Sequence, residues 1–147
     1  MRLLVCGSEW IDEPGRVWLE MDLLRPTALI SLGDLGAGMT AESAARGMGL
    51  HIHTFRADPS LGFGGGKLRN TRAVREGKPN QGLVFGRLLR KTTNEEHGAA
   101  VSAPLPDWQK TIAGDLVNAM LCAELPVRWI AAWGAGAVDL QTMPGPP

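Results

Sequence analysis

Two glycine-containing segments hold the residues of this chain best suited to bind an anion. The first reads Leu32-Gly33-Asp34-Leu35-Gly36-Ala37-Gly38, and the second reads Gly65-Gly66-Lys67-Leu68-Arg69-Asn70. Both precede predicted helices. Backbone N–H groups at the start of a helix, together with the helix dipole, favour bound anions. Two such segments close together in one chain predict a phosphate-bearing ligand, which indicates a nucleotide or a nucleotide-like molecule.

The candidate ligand-binding residues offer several kinds of contact. Glycines let a phosphate approach the backbone closely. An arginine pairs with phosphate in a two-pronged fork, an asparagine bonds a ribose hydroxyl, and a tryptophan stacks on a base. The predicted set comprises Gly7, Ser8, Trp10, Gly33, Gly36, Ala37, Gly38, Lys67, Arg69, Asn70, Gly86 and Arg87.

Each assignment has an alternative that involves no ligand. Gly7 and Ser8 could form a simple turn between a strand and a helix, and Trp10 could cover the core. The glycines of the first segment could serve close packing of a helix on a sheet. Arg69 could form a surface salt bridge, and Arg87 could lie in a solvated loop.

Catalytic and metal-binding residues are less well indicated. Asp34 and Glu96 are weak candidates for an acid–base pair in glycosidic bond cleavage. His51 and His53 share one face of a predicted strand, but no Cys, Asp or Glu follows at a convincing ligand spacing. We therefore predict no metal and no cofactor.

Length and composition indicate one globular domain. The chain has 147 residues, of which 44% are hydrophobic and 20% charged. Cys6 and Cys122 lie in apolar runs and are predicted to be buried free thiols, which suits a reducing cytoplasm. We recognise no signal peptide, and no apolar stretch approaches the roughly 20 residues of a membrane span. A cytoplasmic protein that does not enter a membrane is expected.

The charge is balanced overall but unevenly placed. Fifteen Lys and Arg residues match fifteen Asp and Glu residues. Residues 67–91 nevertheless carry eight basic side chains against one acidic residue, Glu76. A basic segment in a neutral protein indicates a local anionic ligand, or else a solvated helix face. Nucleic acid is a disfavoured partner, because such binders usually have a high overall pI.

The apolar pattern alternates between strands and helices. Strands are predicted at 2–6, 28–32, 50–56, 82–86 and 127–133, and helices at 13–24, 40–48, 67–76 and 107–124, with Thr40 and Asp107 as N-caps. Residues 58–66 are predicted as a loop and 98–106 as irregular or a broken helix. With right-handed crossovers, this order predicts an α/β fold with a parallel five-stranded sheet of order 3-2-1-4-5. A domain at 1–134 would precede a Gly/Pro-rich tail at 135–147, extended or disordered.

The motifs together resemble the SLOG superfamily, in particular its YspA-like branch, over about residues 1–90. The resemblance is carried by Gly7-Ser8 with a nearby Trp, by Gly36-Ala37-Gly38, and by Gly66, Arg69 and Asn70 followed by Arg72 and Val74. It implies a Rossmann-like, three-layer fold. The superfamily includes LOG phosphoribohydrolases, sensor domains for nucleotides or ADP-ribose-derived signals, and DprA-type DNA-processing domains.

Departures from the family patterns favour binding over catalysis. Where YspA-like proteins carry an arginine and an aspartate after the second strand, this chain has Leu35 and Gly38. Only Thr93 and Glu96 could correspond here to the hydrolase motif, which reads Pro-Gly-Gly-x-Gly-Thr-x-x-Glu. We therefore expect a sensor or sequestering protein for a nucleotide-derived signal, of the ADP-ribose or cyclic-nucleotide type. A phosphoribohydrolase is the alternative. Five tryptophans, the pair Met39 and Met48 and the apolar tail could cover a subunit interface, which suggests a homo-oligomer.

Overall fold

The fold is organised around one sheet whose first strand lies near its centre. The computed structural model describes residues 1–7, 14–86, 89–93, 100–104, 112–131 and 137–139. Five of its strands are β1 (Arg2–Gly7), β2 (Ala28–Ser31), β3 (His51–Thr54), β4 (Gln81–Gly86) and β7 (Val127–Ala131). They run parallel in the order β3-β2-β1-β4-β7. These are the five predicted strands, so the α/β, Rossmann-like fold and the order 3-2-1-4-5 are confirmed.

Alternation along the strands separates two apolar cores. Leu3 and Val5 belong to one core and Leu4 and Cys6 to the other, because successive side chains point to opposite faces. The first core includes residues of α1 (Pro14–Leu24) and α2 (Ala37–Gly47). The second includes residues of α3 (Phe63–Arg75) and α4 (Ile112–Cys122). The sheet therefore lies between two helical layers. Turns that lead into helices of both layers begin at its carboxyl edge.

The direction of chain progression reverses beside β1. The chain moves outward from β1 through β2 to β3 and then continues at β4, which pairs with the other side of β1. Ligands of open parallel sheets bind outside the carboxyl ends of the strands at such a reversal. Because all five strands are parallel, the turns that lead to α2 and α3 open at this same edge.

The predicted start of α2 is wrong. Thr40 does not cap the helix, since its N–H donates to the Gly36 carbonyl (2.9 Å) inside the helix that begins at Ala37. Gly36 occupies the N-cap with φ 76° and ψ −117°. Such angles are accessible essentially to glycine alone. A glycine conformation, rather than a hydroxyl cap, therefore sets the start of this helix.

The predicted loop at 58–66 is also largely wrong. A short 3-10 turn at Pro59–Leu61 leads into α3 at Phe63, so the glycine run lies within the first turns of the helix. Gly65 is buried there, and a Cβ at this position would lie 2.5 Å from the carbonyl oxygen of Asp58. Glycine has a low intrinsic helix propensity, but close packing of the turn on the helix overrides it.

Three further strands were not predicted. β5 (Leu89–Thr93) and β6 (Ala100–Pro104) form a separate antiparallel pair, which corrects the prediction of an irregular segment or broken helix at 98–106. β8 (Ala137–Asp139) pairs antiparallel with β7 and extends the sheet to six strands from within the predicted tail. The predicted cap Asp107 lies outside the described residues. Within the described ranges, no helix combines the length and apolar character needed to span a membrane.

Two adjacent glycines of α3 should respond oppositely to a methyl group. We expect Gly65→Ala to lower the free energy of unfolding by about 1–3 kcal/mol, because its Cβ would crowd the Asp58 carbonyl. A Cβ on Gly64 meets nothing within 4 Å. We therefore expect Gly64→Ala to raise the free energy of unfolding by up to about 1 kcal/mol. Urea unfolding followed by circular dichroism measures both, and changes of the same sign would contradict this packing.

Candidate ligand-binding site at the carboxyl edge

Four polar side chains form a chain of hydrogen bonds at the carboxyl edge of the sheet. Arg69 Nη1 donates to Asp34 Oδ1 (2.6 Å), and Arg69 Nη2 donates to Asn70 Oδ1 (3.1 Å). Asn70 Nδ2 in turn donates to Asp115 Oδ2 (3.1 Å). We call these four residues the carboxyl-edge network. It connects the turn after β2 with α3 and with the first turn of α4.

The network exists because α3 presents polar residues on its inner face. Gly66, Arg69, Asn70 and Ala73 are all buried and follow the spacing of one helical face. Ala73 packs in the apolar core, whereas Arg69 and Asn70 lie nearer the start of the helix. Buried polar groups are costly unless they are hydrogen-bonded. Arg69 and Asn70 therefore bond each other and also Asp34 and Asp115 of neighbouring elements.

Hydrogen bonds to side chains of β2 and α2 hold the turn that carries Asp34. Gly33 adopts a left-handed φ of 68°, and its N–H donates to Ser31 Oγ (3.1 Å). The Ser31 hydroxyl donates to Glu42 Oε1 (2.6 Å), and Glu42 also pairs with Arg46 (3.1 Å). These contacts tie the turn to α2, so the position of Asp34 is set by its own backbone as well as by Arg69.

The ion pair is oriented with its cation inside and its anion outside. The Arg69 side chain is 6% exposed, whereas the Asp34 side chain is 44% exposed. Both terminal nitrogens of Arg69, which a phosphate fork would use, donate to protein side chains. Its buried Nε has no hydrogen-bond partner among the described residues. From solvent, the accessible part of this pair is therefore a carboxylate.

Burial keeps the thiol of Cys6 in its neutral form. Desolvation, together with the nearby Asp34 charge, raises the pKa of Cys6 from its ordinary value of 9.0 to about 12, while Arg69 opposes the rise. Cys6 lies near the end of β1. The prediction of a buried thiol is confirmed for Cys6 and wrong for Cys122, which is exposed on the last turn of α4.

The other predicted glycines have structural roles at this edge. A Cβ on Gly7 would overlap the carbonyl oxygen of Phe85, so close pairing of β1 with β4 requires glycine there. Ala37 and Gly38 are buried in the first turn of α2, directly after Gly36. These three positions place backbone amides at the start of the helix, beside Asp34.

The remaining predicted residues divide into two groups. Lys67 is exposed on α3, and Gly86 ends β4 opposite Ala131 of β7. The others lie outside the described residues, and they are Ser8, Trp10, Arg87 and Glu96. Asp115 belongs to the network but was not in the predicted set. The only sequence signal for it is a carboxylate that interrupts an apolar helical run.

The two histidines of β3 form part of an aromatic row at the sheet edge. The rings of His51 and His53 are 6.0 Å apart, and His53 stacks on Phe55 at 5.5 Å. The Arg72 guanidinium lies 5.8 Å from the centre of the Phe55 ring. In the described part of the chain, no group of three or more His, Cys, Asp or Glu side chains is placed to hold a metal ion.

Removal of the Asp34 carboxylate should destabilise the folded protein more than removal of the Arg69 guanidinium. Asp34→Ala would leave the buried Arg69 charge without its carboxylate, and we expect it to lower the free energy of unfolding by about 2–4 kcal/mol. Arg69→Met should cost roughly half as much or less, because the half-exposed Asp34 can be hydrated. Urea unfolding checks the order. Glu76→Ala, which removes the exposed partner of Arg72, is the control and should change stability by less than about 1 kcal/mol.

Alkaline pH should destabilise the protein through Cys6. The unfolded thiol ionises above about pH 9, but the native thiol stays protonated up to about pH 12. Ionisation in this interval favours the unfolded chain, so stability falls as pH rises, by up to about 1.4 kcal/mol per pH unit. Cys6→Ala should show a shallower decline between pH 9 and pH 11 in urea unfolding. Cys122→Ala should follow the wild type, and equal slopes in all three proteins would refute this assignment.

The resemblance to the SLOG superfamily rests on the sequence motifs alone. No protein-family model matches the chain, and no curated protein or solved structure is significantly similar to it. The site is accordingly defined by its own residues: a carboxylate held outward by a buried arginine, next to the amides that begin a helix.

Proposed function

We propose that this protein binds a nucleotide or a nucleotide-derived signalling molecule, of the ADP-ribose or cyclic-nucleotide type, as a sensor or a sequestering protein. The observation that carries the proposal is the ion pair of buried Arg69 with half-exposed Asp34 at the carboxyl edge of the sheet. A buried charge pair is costly to desolvate. Its placement beside the reversal between β1 and β4 supports a role in recognition.

The start of α2 offers a place for a phosphate. The helix begins after Gly36 without a side-chain hydrogen bond at its N-cap. The Met39 N–H of this turn donates to the Asp34 carbonyl oxygen (2.9 Å), which leaves the amides of Ala37 and Gly38, together with the helix dipole, to favour an anion. Asp34 lies beside these amides, but its negative charge is compensated by Arg69. The ion pair thereby reduces the repulsion that a lone carboxylate would exert on a phosphate.

Apolar side chains flank the same turn. Leu35 directly follows Asp34, and Met39 lies one helical turn further along; both are largely exposed. A base or a sugar face packed on them would remove apolar surface from water. The combination of amide donors, a carboxylate and apolar surface suits a ligand that has phosphate, sugar and base. The SLOG resemblance supports the same ligand class, since that superfamily includes nucleotide-binding sensors.

The alternative function is hydrolysis of a nucleotide at its glycosidic bond. Asp34 is the described residue available for it. Asp34 Oδ1 accepts a hydrogen bond from Arg69, and a general base or nucleophile would have to act while that bond is held. This contact therefore favours binding over hydrolysis. Incubation with nucleoside monophosphates, followed by chromatography for free base, separates the two functions: a binding protein returns its ligand intact.

A homo-oligomer completes the proposal. The helix α1 exposes Leu19 and Leu23, which lie one turn apart on its outer face. Such exposed apolar side chains are suited to pack against a second subunit. Size-exclusion chromatography with light scattering measures the oligomeric state directly.

Nucleotide binding should depend on Arg69. We expect AMP, GMP or ADP-ribose to raise the melting temperature of the wild type, as any ligand that binds only the folded state does. In Arg69→Met the shift should be lost, because Asp34 loses the group that orients it and compensates its charge. Arg72→Met, which alters an exposed arginine on the same helix, is the matched control and should keep the shift.

Calorimetric titration at a temperature where circular dichroism shows every variant folded checks this result. Mass spectrometry of small molecules released from the purified protein identifies a ligand retained from the cell. An equal shift in wild type and Arg69→Met, or no response to any of the three nucleotides, would contradict the proposal.

A further inference from the structure

We infer that the guanidinium of Arg56 binds the phosphate of the ligand at this site. The inference rests on the proposed function and assigns the phosphate contact to a residue outside the predicted set. It replaces the expectation that Arg69 pairs with a phosphate, because both terminal nitrogens of Arg69 already donate to protein side chains.

Arg56 lies against the turn that carries Asp34. Its Nη1 is 3.0 Å from the position that a Cβ on Gly33 would take, and its Cζ is 3.4 Å from that position. The methyl group of Thr54, two residues earlier in the chain, is also 3.4 Å from it. The missing side chain of Gly33 therefore leaves room for the guanidinium at the carboxyl edge of the sheet, one residue away from Asp34.

The residue that precedes Arg56 is firmly anchored. The Phe55 N–H donates to the Ser31 carbonyl oxygen (2.8 Å), so hydrogen bonding between β2 and β3 continues past Thr54. The Phe55 ring is buried in the apolar core that α3 and α4 cover. Arg56 is thus presented to the turn from an ordered segment, which lowers the entropy lost when its side chain binds a ligand.

The Arg56 guanidinium keeps its hydrogen-bond donors available. Arg56 is exposed, and within the described residues its side chain forms no hydrogen bond and no ion pair. Asp58, the next acidic residue along the chain, instead accepts hydrogen bonds at Oδ1 from the N–H (2.9 Å) and the hydroxyl (2.7 Å) of Ser60. A free guanidinium offers a planar fork of N–H donors whose geometry matches a phosphate.

The two arginines beside this turn therefore differ in what they offer to a ligand. Arg69 is buried, and the Asp34 carboxylate compensates its charge. Arg56 is exposed, and no carboxylate of the described residues pairs with it. A phosphate at Arg56 gains the attraction of a cation without first breaking an ion pair of the protein, whereas a phosphate at Arg69 would have to displace Asp34.

The test compares each ligand with the molecule that lacks its phosphate. AMP, GMP and ADP-ribose are titrated calorimetrically into the wild type, and the matching nucleoside, adenosine or guanosine, is measured by competition. We expect Arg56→Met to weaken nucleotide binding about tenfold or more, because it removes a charge-assisted pair, and to change nucleoside affinity by less than about twofold. Arg75→Met removes an exposed arginine from the last turn of α3. It is the matched control and should change neither affinity.

The outcomes separate this inference from the proposed function. Circular dichroism first verifies that each variant is folded. An unchanged nucleotide affinity in Arg56→Met would overturn the inference and leave the proposed function standing. An equal loss of nucleotide and nucleoside affinity would also overturn it, because Arg56 would then shape the site without binding the phosphate. Failure of all three nucleotides to bind the wild type would overturn the proposed function, and this inference with it.

Discussion

The ion pair between Arg69 and Asp34 joins the two helical layers at the edge of the sheet. Arg69 belongs to α3, which covers one face, and Asp34 belongs to the turn that leads to α2 on the other face. A guanidinium cannot be buried alone without a large loss of solvation free energy. The placement of α3 therefore depends on Asp34, and Asn70, on the same helix, extends the constraint to α4 through Asp115. The neutral thiol of Cys6 belongs to the apolar core that α3 and α4 cover.

Buried carboxylates elsewhere in the fold follow the same rule. Glu42 on α2 bonds Ser31 and Arg46, and Glu20 on α1 pairs with Arg16 at 2.9 Å. Glu20 also lies 3.9 Å from the Arg128 guanidinium of β7. Desolvation offsets most of the Coulomb attraction in such pairs, so their net contribution to stability is small. Their main consequence is geometric, since each one fixes a helix against a strand or a turn.

The glycines that suggested a phosphate site serve several purposes. Gly7 and Gly65 are required by close backbone contacts with Phe85 and Asp58. Gly36, in contrast, takes a conformation that starts α2 and that essentially glycine alone adopts. A glycine-rich sequence does not distinguish packing from ligand contact, because both need the absence of a Cβ. In this fold the ligand argument therefore rests on the polar network, with the glycines as its support.

The sequence by itself determined the order of the parallel strands and the layered architecture. Apolar runs, alternation and right-handed crossovers are local or general properties, and they locate β1, β2, β3, β4 and β7 correctly. The alternation of His51, Ile52 and His53 likewise separates the two faces of β3. Sequence also selected Arg69, Asn70 and Asp34 as residues of interest, because their types are suited to polar recognition.

Only the tertiary structure decided how these residues are used. Arg69 and Asp34 are 35 residues apart in sequence, and nothing local pairs them or determines which of the two is exposed. The early starts of α2 and α3 depend on a glycine conformation at Gly36 and on close packing of Gly65 against Asp58. The β5–β6 pair and the edge strand β8 depend on backbone pairing between separate segments. Periodicity along a chain reports which face of an element is apolar. It does not report which polar groups meet across elements, because that depends on how the layers pack in three dimensions.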